Sequence, residues 1–139
     1  ILYRLVGSEM CIRDRSKEEL ASMAEDLNCN LNWVGRLEEK EMIAALQYAD
    51  ALLFPSVAEG FGLPPLEAYA AGTVALVADA PAHNEIPLQH HILPVDDIDA
   101  WRSAILQLKD ESSAVKERAA EFSTERWAKR HKDAYDSLF

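Results

Sequence analysis

The sequence predicts an α/β fold built on a doubly wound parallel sheet. Short apolar runs such as Ala51 to Phe54 are too brief for helices and carry no alternating polar residues, as expected of strands buried on both faces. These runs alternate with amphipathic stretches of ten or so residues, the order that places helices over a parallel sheet. The 139 residues are 49% hydrophobic and 27% charged, which gives one domain with a real core and excludes a disordered or fibrous chain.

The elements follow in order. Leu5 to Arg15, LVGSEMCIRDR, resembles the translated read-through of a sequencing-library adapter; the alternative is a native strand, Ile1 to Gly7, leading into a turn. The domain is therefore read from Ser16 to Phe139, with residues 1–15 set apart. Ser16 with Glu19 forms a capping box, and Leu20, Met23 and Leu27 continue at helical spacing. Leu31 to Val34 is a short strand closed by Gly35, and a second helix carries Met42, Ile43, Leu46 and Ala49 on one face. The strand run Asp50 to Phe54 ends at Pro55. After the loop Ser56 to Leu63, Pro64 and Pro65 suit a helix start and Gly72 suits its stop. Val74 to Val77 and Ile92 to Val95 are further strands. Asp96 or Asp97 caps a helix with Ile98, Trp101, Ile105 and Leu108 at spacings of three, four and three. The tail from about Ser112 to Phe139 is helical, with Val115, Phe122, Trp127, Ala134 and Leu138 as packing residues.

Charge and chain chemistry narrow the function. The longest charge-free stretches, Ala51 to Ala58 and Ala68 to Ala78, fall far below the roughly 20 residues of a membrane crossing. A net charge of −10 argues against nucleic acid as a partner, since phosphate contacts need clustered cations. From Glu41 to Trp101 there is no Lys or Arg, although the stretch holds nine carboxylates. A phosphate bound there must be held by backbone N–H groups or by cations from elsewhere. Cys11 and Cys29 make neither a disulfide framework nor a zinc site, and no secretory signal precedes them, so a reducing, cytoplasmic setting is expected.

In such sheets ligands sit beyond the carboxyl ends of the strands, which places the loop after Phe54 at a binding edge. Residues 55–72 read PSVAEGFGLPPLEAYAAG. Gly60 and Gly62 flank Phe61, so the backbone can turn tightly and aim N–H groups outward, and a helix starting at Pro64 or Pro65 adds a positive dipole end. A diphosphate is held this way without lysine. Glu59 at the loop and Glu67, expected in the helix's first turn, suit hydrogen bonds from sugar or ribose hydroxyls.

With this motif on the page, the chain resembles the nucleotide-sugar-binding half of retaining GT-B glycosyltransferases, the group with glycogen and sucrose synthases and bacterial mannosyltransferases. The family's paired glutamates, with seven residues between them in E-G-F-G-L-P-x-x-E-A, match Glu59 to Ala68 without a gap. Val34-Gly35-Arg36 resembles the family's second glycine turn, Asn84-Glu85-Ile86 its post-strand glutamate segment, and Phe122-Ser123 with Trp127 and Tyr135 its closing helices. The resemblance implies a Rossmann-like C-terminal domain that binds a UDP-, GDP- or ADP-sugar and transfers its hexose, with retention, to an alcohol. It implies that Glu59 contacts the transferred sugar as the catalytic-side carboxylate, that the amides of Phe61, Gly62 and Leu63 face sugar and diphosphate, and that Glu67 holds the ribose. Arg36 and Leu37 would border the nucleobase, the alternative for Arg36 being a solvated surface arginine.

The resemblance also implies what must come from elsewhere. Arg36 is not the family's catalytic arginine, whose Arg and Lys pair lies a strand and a helix earlier. That pair and the acceptor-binding N-terminal domain are missing, so this chain alone is expected to be inactive. Peripheral contact with the inner face of the membrane would be made by the missing half. No cofactor and no metal are expected: His83, His90, His91 and Glu85 have ligand chemistry, but adjacent side chains on an extended segment point to opposite faces, and the family transfers sugar without a bound metal. A non-catalytic half-domain that binds nucleotide sugars or partner chains is the competing reading. A sugar-nucleotide epimerase is a third, disfavoured because the glutamate pair matches the transferases. Gly72-Thr73-Val74 and Gln89-His90-His91 depart from the family's usual turns, which puts the identity of the donor in question more than the fold.

Overall fold

The computed structural model describes residues 37–81 and 84–136. The early helix and strand read before Arg36, Arg36 itself, both cysteines, His83 and Leu138 lie outside the described residues. Within them the chain runs helix α1 (Glu39–Tyr48), strand β1 (Ala51–Phe54), α2 (Leu63–Ala71), β2 (Val74–Ala78), a 3-10 turn (Gln89–His91), β3 (Ile92–Leu93), α3 (Ile98–Leu106), α4 (Ser112–Ala120) and α5 (Thr124–Asp136). The strands form one sheet in the order β1-β2-β3. Both pairings are parallel, Ala51 opposite Val74 through Phe54 opposite Val77, then Val77 opposite Ile92 and Ala78 opposite Leu93. The parallel sheet with flanking helices is the predicted α/β class.

All five residues of β2 are buried. Successive strand side chains point to opposite faces, so full burial means that both faces of β2 are covered, which explains why VALVA has no polar alternation. The core joins Leu52 and Phe54 of β1, Ala75 to Val77 of β2, Ala68 and Tyr69 of α2, Leu46 of α1 and Val115 of α4. Helix α2 packs on β1 and β2 and also meets α1 and α4. Thr73, one of two buried polar residues among those described, donates its hydroxyl to the Leu46 carbonyl and so ties the start of β2 to the end of α1.

Capping sets the helix ends. In α1, Glu38 N–H donates to the Glu41 carboxylate at 2.9 Å. Asp97 is the cap of α3, accepting Ala100 N–H at 2.9 Å, as one of the two predicted aspartates. Helix α2 lies between Gly62 and Gly72, both left-handed at φ 77° and 94°. A Cβ at such φ approaches the backbone, which is why glycine stands at each boundary.

Several packing expectations are corrected. Ile43 is exposed on α1, and Ile98, the first residue of α3, is 81% exposed; the core-facing side of α3 is Trp101, Ala104 and Ile105, continued by Leu108. The tail is two helices, because the chain breaks at Glu121–Ser123. Val115 is buried and Phe122 half-buried, but α5 has no buried residue: Trp127 is 60% exposed and stacks on His131, and Ala134 is exposed. Val95 stands beyond β3 and is exposed. Trp101 fits its predicted place, donating its indole N–H to the Pro94 carbonyl at 2.8 Å.

Candidate functional site

The loop that leaves the carboxyl end of β1 and enters α2 carries the predicted residues. Glu59 is half-buried and held from one side, where the Ser56 hydroxyl donates to its Oε1 at 2.8 Å. Among the described residues, the other carboxylate oxygen accepts no hydrogen bond. Gly60 is exposed, and a Cβ built on it would meet nothing within 4 Å. Its smallness therefore answers no packing demand of the protein itself. Phe61 is 45% exposed and meets Phe122, between α4 and α5, edge to face with ring centroids 6.5 Å apart.

Gly62 caps α2, which starts at Leu63. A helix leaves its first N–H groups without intrahelical partners. Pro64 and Pro65 have no N–H, so the amides at this end are those of Phe61, Gly62 and Leu63, the three predicted to face the diphosphate. Among the described residues none of the three has a hydrogen-bond partner. Together with the helix dipole they form a small corner of backbone donors whose electrostatics favour an anion.

Glu67 is the fifth residue of α2, so it stands in the second turn, not in the first as the sequence reading had it. It is exposed and further from the dipole end than expected, which lessens its repulsion of an anion at the corner. Leu37 is half-buried just ahead of α1.

The post-β2 segment is fastened by residues the sequence reading passed over. Arg118 of α4 donates Nε–H to the Ile86 carbonyl at 2.9 Å, another N–H to the Glu85 carbonyl, and pairs with Glu121. Its guanidinium also lies 4.9 Å from the centroid of Phe122, whose ring meets Phe61. This arginine is one cation that the fold brings to the cation-free stretch, and each of its three nitrogens already donates to a carbonyl or a carboxylate. Its position 32 residues after Ile86 explains why local sequence gave no sign of it.

A second polar group lies before β3. His90 and His91 are on a 3-10 turn and not on the extended segment assumed from sequence, so their rings lie side by side with centroids 4.2 Å apart. Both face Glu111. Burial, then the neighbouring His90, lowers the pKa of His91 against the pull of Glu111, while the hydrogen bond from His90 lowers that of Glu111. Tyr69, fully buried on α2, places its hydroxyl between His91 Nδ1 and Leu88 N–H, and burial pushes its pKa up to about 12.

Comparison with known proteins decides the family. The model of the family described as glycosyl transferases group 1 matches residues 2–126. The chain belongs to that family. The match runs through Leu5 to Arg15 as well as the domain read from Ser16. Among curated relatives of this glycosyl transferase chain, an O-antigen chain mannosyltransferase of Salmonella typhimurium is 33% identical over 110 residues, which is 76% of this chain and 31% of the relative. A phosphatidyl-myo-inositol mannosyltransferase of Mycolicibacterium smegmatis is 28% identical over 80% of this chain and 30% of its own length. A glycogen synthase of Mycobacterium tuberculosis is 32% identical over 63% of this chain and 22% of its own length. The chain thus spans less than a third of each of these relatives. Among the described residues, no helix is long and apolar enough to cross a membrane.

Proposed function

We propose that this chain is the donor-binding part of a transferase that moves a hexose from a nucleotide diphosphate sugar to an alcohol acceptor with retention. The observation that carries the reading is the corner at the carboxyl end of β1: three amides at a helix start, without partners among the described residues, set between a half-buried Glu59 and an exposed Glu67. Amides and dipole receive the diphosphate, and the carboxylates accept hydroxyl protons in hydrogen bonds, Glu59 from the sugar and Glu67 from the ribose. Leu37, with Arg36 beside it in sequence, would border the nucleobase. No cofactor or metal takes part in this reading of the transfer.

The leaving diphosphate gains charge as the sugar departs, so the transferase needs electrostatic stabilisation there. The amide corner supplies part of it. The rest must come from cations outside this chain's Glu41 to Trp101 stretch, and Arg118 is already engaged, so transfer is a property of a longer protein with an acceptor-binding domain. That domain would also make any peripheral membrane contact.

Calorimetry of UDP, GDP and ADP binding tests the reading. One of the three binds, and Glu67→Ala weakens it about 10- to 100-fold, the range of a lost hydrogen bond to a charged group. Equal affinity in wild type and variant would remove Glu67 from the site. Proton NMR of the first-formed product reads the anomeric outcome, which retention fixes as that of the donor. Binding without transfer in the full-length protein would support the half-domain reading instead.

A further inference from the structure

We propose that His90, His91 and Glu111 bind one divalent transition-metal ion of the zinc class, at a site separate from the amide corner. The three side chains come from two segments, the 3-10 turn before β3 and the residue that caps α4. His90 Nε2 lies 2.9 Å and His91 Nε2 3.7 Å from the same oxygen, Glu111 Oε2, and all three ligand atoms lie within 4.8 Å of one another. Tetrahedral zinc with bonds of about 2.0–2.2 Å sets its ligand atoms about 3.3 Å apart. The two separations from Glu111 Oε2 bracket that value, and the exposed His90 and the partly exposed Glu111 are free to adjust around an ion.

Two further features separate this trio from a chance surface cluster. First, His91 is 3% exposed and its other ring nitrogen, Nδ1, is in hydrogen-bond contact with the Tyr69 hydroxyl, which Leu88 N–H fixes at 3.0 Å. A partner of this kind on the distal nitrogen orients the imidazole, here holding the ring with Nε2 on the side of Glu111. Second, a cavity of about 220 Å³ opens beside the trio, with Val74, Leu76, Ala104 and Leu108 on its apolar side and Gln107 and Lys109 also in its lining. It has room for a water as fourth ligand. Imidazole and carboxylate donors suit zinc, and two nitrogens with one carboxylate exclude the all-oxygen shells of calcium and magnesium.

The location assigns the ion a structural role. The turn precedes β3 and so lies toward the amino ends of the strands, whereas the amide corner follows the carboxyl end of β1. An ion there would clamp the start of α4 to the approach to β3.

Cobalt(II) titration of the untagged intact protein, freed of metal by chelator, tests the site. One equivalent should bind with the visible absorption of tetrahedral cobalt, be displaced by zinc, and raise Tm. His90→Ala, whose side chain is 60% exposed and whose metal-free Tm should match wild type, and Glu111→Gln should each weaken cobalt binding more than tenfold. Tyr69→Phe should weaken it about 10- to 100-fold by releasing the imidazole. The proposal falls if no saturable binding appears, or if binding persists unchanged in both His90→Ala and Glu111→Gln. None of these readouts depends on sugar transfer.

Discussion

Single side chains do two kinds of work in this domain, and sequence reveals one kind far better than the other. Tyr69 illustrates the hidden kind. Its ring is fully buried and its hydroxyl serves both Leu88 N–H and His91 Nδ1. Tyr69→Phe keeps the ring and strands two buried polar groups, which should cost about 1–3 kcal/mol in urea denaturation. A loss under about 0.5 kcal/mol would show that water replaces the hydroxyl. Nothing in AYAAG marks this tyrosine, because its partners come 19 and 22 residues later. The same holds for Arg118 and for the His90, His91 and Glu111 group, where the local error was to treat a 3-10 turn as extended. The placement of Glu59 on the loop and Gly62 at the helix start was legible because it is local, a loop and a helix boundary along one short stretch, whereas Glu67 falls one turn later than expected.

Elements were read best where backbone chemistry punctuates them. Pro64, Pro65, Gly72 and Asp97 marked the ends of α2 and the start of α3, since a missing N–H, a positive φ and a capping carboxylate act within a turn of the boundary. The tail was misread because apolar residues at helical spacing do not say whether anything covers them, and α5 buries none of its residues. The three glycines around α2 separate stability from binding. Gly72 has φ 94°, and an added Cβ would sit 2.6 Å from the flexible Lys116 Cε, which can move aside. Gly72→Ala should therefore cost about 1–2 kcal/mol from backbone strain alone and leave nucleotide affinity unchanged. Gly60 is open and not at positive φ, so Gly60→Ala should leave Tm unchanged or slightly raised. If the amide corner receives the diphosphate, that methyl group stands in its approach and nucleotide binding weakens at least tenfold. Denaturation and calorimetry on the two variants should give opposite patterns; Gly60→Ala with full affinity would move the nucleotide away from this loop.

On the scale of the whole molecule, electrostatics argues that the proposed donor site is incomplete in this chain. The net charge is −10, the stretch from Glu41 to Trp101 has no Lys or Arg, and Arg118 is held by the Glu85 and Ile86 carbonyls and by Glu121. A diphosphate arriving at the corner meets three amides and a helix dipole within a negative surrounding field. Dipole and amide contacts are short-ranged and keep most of their strength in salt, whereas attraction to a fixed arginine or lysine and repulsion from the net charge are both screened as the Debye length falls from about 10 Å at 0.1 M to about 3 Å at 1 M. The 139-residue chain should accordingly bind its nucleoside diphosphate more weakly than the full-length transferase does. Added salt should leave that weak affinity unchanged or raise it, while it lowers the affinity of the full-length protein, whose additional cations grip the phosphates directly. Turnover of any nucleotide sugar should be confined to the longer protein. Affinity of the 139-residue chain that falls steeply with salt would reveal a cation already at the corner, and enzyme-like turnover by that chain would show that leaving-group stabilisation is complete without an Arg and Lys pair.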